Sequence, residues 1–157
     1  MTHNFSSLMH MAQHLAIQQT HLLVHVGSAL EKAAVKIEKR AKAKLGTYQD
    51  TDGIHGAWPE LAESTKADRV RKGFTENDPG LRSGKMRKSI SHQTKGLEAT
   101  IGSDDMNLVY FEMGTNKQPP RSVLGAAAFE AMPEVLKIVG GATVTGIVGG
   151  DSKSESY

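Results

Sequence analysis

Leu8, Met11, Leu15, Leu22, Val26, Ala29, Ala33, Ile37 and Ala41 recur at three- and four-residue steps, one apolar stripe on a helix. No proline interrupts the run, Ser6 or Ser7 offers a cap at its start, lysines crowd its end, and Gly46 follows as a stop. The pattern predicts one helix from about Ser7 to Leu45, on the order of 55 Å long. Gly27 is its weak point, costing up to about 1 kcal/mol against alanine. A helix of that length overhangs a small sheet or packs on a neighbour.

Residues 46–57 hold three glycines and several turn formers, and read as loop. From Trp58 to Lys72 the order is Pro59 early, acids first and bases last, with Gly73 as terminator, which predicts a second helix anchored by Trp58. A loop at 74–80 and a short helical turn within 81–89 follow. Alternation then takes over: Ile90, His92 and Thr94, then Leu97, Ala99 and Ile101, around Gly96. That is a tight β-hairpin of Ser89–Lys95 and Leu97–Ser103.

Asp104 or Asp105 caps a short helix from Met106 to Met113, with Leu108 and Phe111 apolar and Gly114 as its stop in a left-handed conformation. Pro119-Pro120 forms a stiff extended step. A further helix runs from Ser122 to Val139 with Pro133 as a kink or break. Residues 142–148, rich in Val, Thr and Ile between glycine pairs, are the remaining strand candidate, and 149–157 reads as a polar, mobile tail. The pattern predicts an α+β fold: one domain over 1–148, the long helix over 1–45 and a motif-bearing core over 58–139.

The 157 residues include no cysteine, which excludes disulfides, thiolate zinc sites and cysteine nucleophiles. Apolar runs such as Leu22–Val26 are too short to span a bilayer, and the N-terminus lacks a secretory pattern. A chain made and kept in the cytoplasm, with no membrane partner, is the expectation. The net charge of +2 is small, but its distribution is uneven. Arg82, Lys85, Arg87, Lys88 and Lys95 share a segment without acids; Glu98, Asp104, Asp105 and Glu112 share the next without bases. Such neighbours suit contacts between subunits, or form two solvated faces of one domain.

Candidate chemistry is sparse. His3, His10, His14, His21 and His25 fall within about 60° on a helical wheel. His10/His14 and His21/His25 have a metal-chelating i, i+4 spacing, though no acid accompanies them. A solvated or partner-facing polar strip, continued by Lys32, Lys36 and Lys39, accounts for them. The basic run could touch phosphate, but it lacks interleaved aromatics and a recognition helix. Asp, His and Ser residues are scattered, with no nucleophile elbow. The expectation is no enzyme, no cofactor and no metal.

Trp58-Pro-Glu-Leu61 with Thr65 and Arg71-Lys-Gly73, then Leu81–Ile90, then Tyr110-Phe-Glu-Met-Gly-Thr115 and Pro119-Pro-Arg121, are an ordered set. It resembles the tail-completion and head–tail joining (neck) proteins of tailed double-stranded DNA phages. The resemblance covers about Trp58 to Val139; the aromatic that usually follows the proline–arginine step is Ser122-Val123 here. It implies a small sheet with helices packed on it, assembled as a homo-oligomeric ring, commonly a hexamer. That ring would sit at the head-proximal end of the tail, meet the tail tube or terminator and the head-closure or connector protein, and leave a channel for DNA. Such a protein is a virion component made in the host cytoplasm and has no active site. The interaction residues it points to are Arg82, Lys85, Arg87, Lys88, Tyr110, Glu112, Gly114, Thr115, Pro119, Pro120 and Arg121. The other reading, of a different class, is a small non-specific nucleic-acid-associated module using the basic segment.

Overall fold

A computed structural model describes residues 6–148. Its elements in chain order are α1 (Leu8–Lys44), α2 (Glu63–Arg71), α3 (Lys85–Ser89), β1 (Ile90–Lys95), β2 (Glu98–Ser103), α4 (Met106–Met113) and α5 (Leu124–Val148). The fold is α+β, with one two-stranded antiparallel sheet.

The long helix starts where Ser7 Oγ accepts the His10 N–H at 3.2 Å. It ends at Leu45, after which the Gly46 N–H donates to Pro79 O at 2.8 Å. α5 lies antiparallel along it: Gln18 contacts Ile147 at one end, while Arg40 contacts the Glu130 carbonyl at the other. The two helices approach closely because both present alanine, Ala29, Ala33, Ala34 and Ala41 on α1 and Ala126, Ala127 and Ala131 on α5. Flanking ion pairs fix the register: Lys36 and Arg40 hold Glu134, and Lys44 holds Glu130.

The hairpin pairs Ile90 with Ser103 and Lys95 with Glu98, leaving Gly96-Leu97 as a two-residue turn. It packs on α1 through polar contacts. His92 lies between Glu31, 2.9 Å from Nε2, and Glu38 at Nδ1, and the Thr94 hydroxyl donates to Glu31. The main core gathers at the Lys44 end, where Leu45, Ile90, Leu108 and Val123 are fully buried beside Trp58, Phe111, Ala41 and Ala127. Each large aliphatic there contributes about 1.5–3 kcal/mol.

Three sequence expectations are corrected. The helix expected from Trp58 begins only at Glu63. Residues 58–61 form no regular element and are held by distant groups instead: Trp58 N–H donates to Gln49 O, Leu61 N–H donates to the Tyr48 hydroxyl, and the carbonyls of Pro59 and Glu60 accept from Arg121. The strand expected at 142–148 is the last part of α5. Thr143 and Thr145 turn their hydroxyls onto carbonyls four residues back, Val139 and Gly141, which satisfies them inside a helix. Gly146 lets α1 approach, since a Cβ there would lie 2.8 Å from Leu22 Cα. Nor does Pro133 break the helix. The carbonyl that loses its donor is that of Phe129, and both residues are exposed, where water can take the bond. As one unbroken helix, α5 is long and apolar enough to cross a membrane by length and composition. The tail expected at 149–157 and His3 lie outside the described residues.

Candidate assembly interface

Of the residues expected to form contacts with partners, Glu112, Gly114, Thr115, Pro119, Pro120 and Arg121 meet at one junction, between α4 and the start of α5. Asp105 caps α4 by accepting the Asn107 N–H at 2.9 Å. At the other end Gly114 closes the helix with φ 76° and ψ 177°, a conformation open to glycine but strained for any other residue. The space is closed as well: a Cβ at Gly114 would lie 2.8 Å from Pro120 N. Thr115 and Gln118 exchange backbone hydrogen bonds across a tight loop, which turns Pro119 and Pro120 back towards α4.

Glu112 is the keystone of that turn. Its carboxylate accepts the N–H groups of Val123 at 2.6 Å, Leu124 at 2.9 Å and Gly125 at 3.0 Å, and the Ser122 hydroxyl at 2.7 Å. The first-turn donors of a helix have no partners within it. Here a glutamate from the preceding helix supplies them, and its negative charge suits the positive end of the helix dipole. Arg121 is buried, donating to Pro59 O at 2.7 Å, with its Cζ 5.6 Å from the centre of the Phe111 ring. Trp58 completes the stack edge-on to Phe111 at 5.3 Å, and its Nε1 donates to Ser122 O at 3.2 Å.

The basic segment is divided. Arg87 donates to the carbonyls of Lys42 at 2.9 Å and Leu45 at 2.6 Å, closing the C-terminus of α1. Arg82 pairs with Asp68 at 2.9 Å and lies over the Phe74 ring. Asp68, also bonded by Arg71 and Lys72, is lowered to about 2, with the Arg71 hydrogen bond the largest cause. Lys85, Lys88, Tyr110 and Thr115 remain exposed. Arg82, Lys85, Tyr110 and Thr115 share the wall of one open cleft of about 500 Å³. Glu112 faces α5, so the acidic and basic segments do not present two intact opposed strips.

Asp52 and His55 pair at 2.7 Å, and His55 Nε2 and Ser122 Oγ both lie close to Gly125, but no hydrogen bond joins them among the described residues. The Ser122 hydroxyl donates to Glu112 and accepts the Ala126 N–H, which places it in the helix cap. Asp52 is lowered to about 2, first by the His55 backbone N–H. Along α1 the His21 and His25 rings lie 6.5 Å apart, and His10 takes up a hydrogen bond with Ser6. Among the described residues no three His, Asp or Glu side chains come together around a point that could hold a metal.

The surface left without a partner is one the charge pattern did not single out. Between Met1 and Leu30 there is no Asp, Glu, Lys or Arg, and none between Ile138 and Gly150. Antiparallel packing brings the described parts of these stretches, residues 6–30 and 138–148, to the same end of the α1–α5 pair. Leu8 is 83% exposed there, Ile17 58%, Val24 65%, Val144 61% and Ile147 57%. On α5, Phe129, Met132 and Leu136 extend the exposed apolar surface towards the core end. The sequence carries the signal as a run of thirty residues without a formal charge, which the clustered charges of residues 82–112 do not point to. No family model, curated protein or solved structure matches this chain.

Proposed function

We propose that this chain is a structural component of the neck of a tailed phage. In this reading it assembles as a homo-oligomeric ring at the head-proximal end of the tail, where it completes the tail and mediates joining to the filled head. The observation that carries the reading is the uncharged, apolar end of the α1–α5 pair. Exposed apolar surface of this kind marks a contact with another protein or with a membrane, and the reading takes a protein; the stripe on α1 continues through Leu8, Met11 and Leu15, well beyond the core gathered at Lys44. The ordered motifs add support where they meet, because Trp58, Phe111, Glu112, Gly114 and Arg121 build the junction from which α5 starts. The virion is then the site of action, with DNA passing through the ring without sequence recognition.

Light scattering coupled to size-exclusion chromatography, alone and with tail tubes, tests the reading. A ring, or a monomer that becomes stably bound to tube ends, is the expected result. A protein that stays monomeric and ignores tube ends while binding duplex DNA with a steep salt dependence would replace it with the nucleic-acid reading.

A further inference from the structure

Two guanidinium groups far apart in sequence, Arg69 of α2 and Arg121 before α5, line the same cavity of about 290 Å³ beneath the proline step. Both are almost fully enclosed, Arg69 at 4% and Arg121 at 3% exposed. Arg69 donates through Nε to Thr75 O at 2.7 Å, and through Nη2 to Thr75 Oγ1 at 3.3 Å and Leu81 O at 3.1 Å. Arg121 donates through Nε and Nη2 to Pro59 O at 3.1 and 2.7 Å, and through Nη2 to Glu60 O at 3.2 Å. Every one of these acceptors is neutral, and among the described residues neither guanidinium is in an ion pair with a carboxylate.

A buried charge is costly unless an opposite charge meets it. The nearby acid does not supply one: Glu60 sits on the rim, but its side chain is 79% exposed and its carboxylate is turned to Lys66 at 3.4 Å. The face of Phe111 offsets part of the Arg121 charge. Burial nevertheless lowers the Arg121 pKa from its ordinary value, the mark of a cation short of compensation. In each arginine Nη1 makes no hydrogen bond, yet no sealed side-chain nitrogen or oxygen lacks a partner among the described residues. Both Nη1 groups therefore keep accessible surface, and the cavity is what the two side chains have in common.

We propose that this cavity binds a small oxyanion, a phosphate or a carboxylate group, between Arg69 and Arg121, with Lys117 at its mouth. Planar guanidinium donors match both kinds of anion. Lys117 and Gln118 line the cavity with them and bring a further cation and a polar side chain. A larger cleft of about 500 Å³ lies alongside and shares Arg69, Gly80, Phe111 and Gln118 with it. This assignment stands on the two arginines and does not depend on the neck reading.

The test uses the intact protein and nuclear magnetic resonance of the arginine Nε–Hε groups. Inorganic phosphate and acetate are titrated separately, with chloride at matched ionic strength as the control. Saturable shifts of the Arg69 and Arg121 signals are expected with at least one of the two anions. A response to phosphate alone would identify a tetrahedral ligand, and a response to acetate would identify a carboxylate. The exposed Lys117→Glu variant, which keeps both arginines and their carbonyl partners, is expected to weaken binding at least threefold. Shifts no larger than with chloride would overturn the proposal. So would saturable binding that leaves the two arginine signals unmoved, or an affinity unchanged in Lys117→Glu.

Discussion

At its Lys44 end the α1–α5 pair is closed by charged groups that all have work inside the fold. Arg87 caps α1, Glu112 caps α5, Lys44 and Arg40 hold α5 in register, and Arg121 ties the 58–61 segment to the proline step. At its Leu8 end the same pair carries no formal charge and leaves Leu8, Ile17, Val144 and Ile147 in the open. Contrasting the two ends separates residues that build the domain from surface that lacks a partner within it. A basic or acidic residue in this chain is therefore a poor guide to an interface, because the folded domain already uses many of them.

Changes at the closed end should register as stability. Gly114→Val imposes a β-branched side chain on a glycine-only conformation and drives a Cβ to 2.8 Å from Pro120 N. A loss of about 3 kcal/mol or more in urea unfolding is expected; a loss below ~1 kcal/mol would remove the junction from the account. Glu112→Ala should come next, at about 2 kcal/mol, because three α5 backbone donors lose a charged acceptor. Arg87→Glu should cost about 1–2 kcal/mol by uncapping α1, while Lys88→Glu should be nearly silent. Equal effects of the two would return both to a common solvated face.

The smallest expected effect is one of pH, at the hairpin. His92 is raised above 6.5, first by its hydrogen bond to Glu38 and then by Glu31. Its contribution is complete below 6.5, the ordinary histidine value, and is lost as pH rises through the raised one. Glu38 is lowered, first by Lys42 and then by His92, and Glu31 is lowered, first by Thr94. Their contributions are complete above 4.5 and lost as pH falls through the lowered values. The hairpin should therefore sit most firmly on α1 between about pH 4.5 and 6.5, and His92→Gln should flatten the alkaline side of the profile. Hydrogen exchange of the β1 amides across pH measures this, and an unchanged profile in the variant would remove the clamp.

Local rules made α1, α4, the hairpin and the stop at Gly114 legible in the sequence. Capping, periodicity and turn chemistry act over a few residues, and nothing distant opposes them there. At 58–62 and 142–148 local pattern and structure disagree because distant groups decide the conformation. Arg121 claims the carbonyls of Pro59 and Glu60, and Leu22 of α1 packs onto Gly146 where a side chain would not fit. Arg87 and Glu112 read as surface charges for the same reason: a cap given to another helix leaves no trace in the spacing around the residue that gives it. Arg69 falls among the late bases of the 58–72 segment, and nothing in that spacing marks it as buried, since its burial depends on how the 74–81 loop folds back.

Whether the uncharged end of the α1–α5 pair is the assembly surface can be measured most directly by removing the part of α1 that runs beyond α5. Deleting residues 1–16 takes away exposed Leu8, Met9, Met11 and Leu15 and spares the core around Leu45, Trp58 and Phe111. Electron micrographs of particles made with this truncated protein in place of the full chain give the readout, with circular dichroism of the purified protein as the check on folding. The account predicts a folded protein, tails left unjoined to filled heads, and no rescue by changing ionic strength, since no ion pair is involved. Complete, joined particles, or a truncated protein that fails to fold, would contradict it.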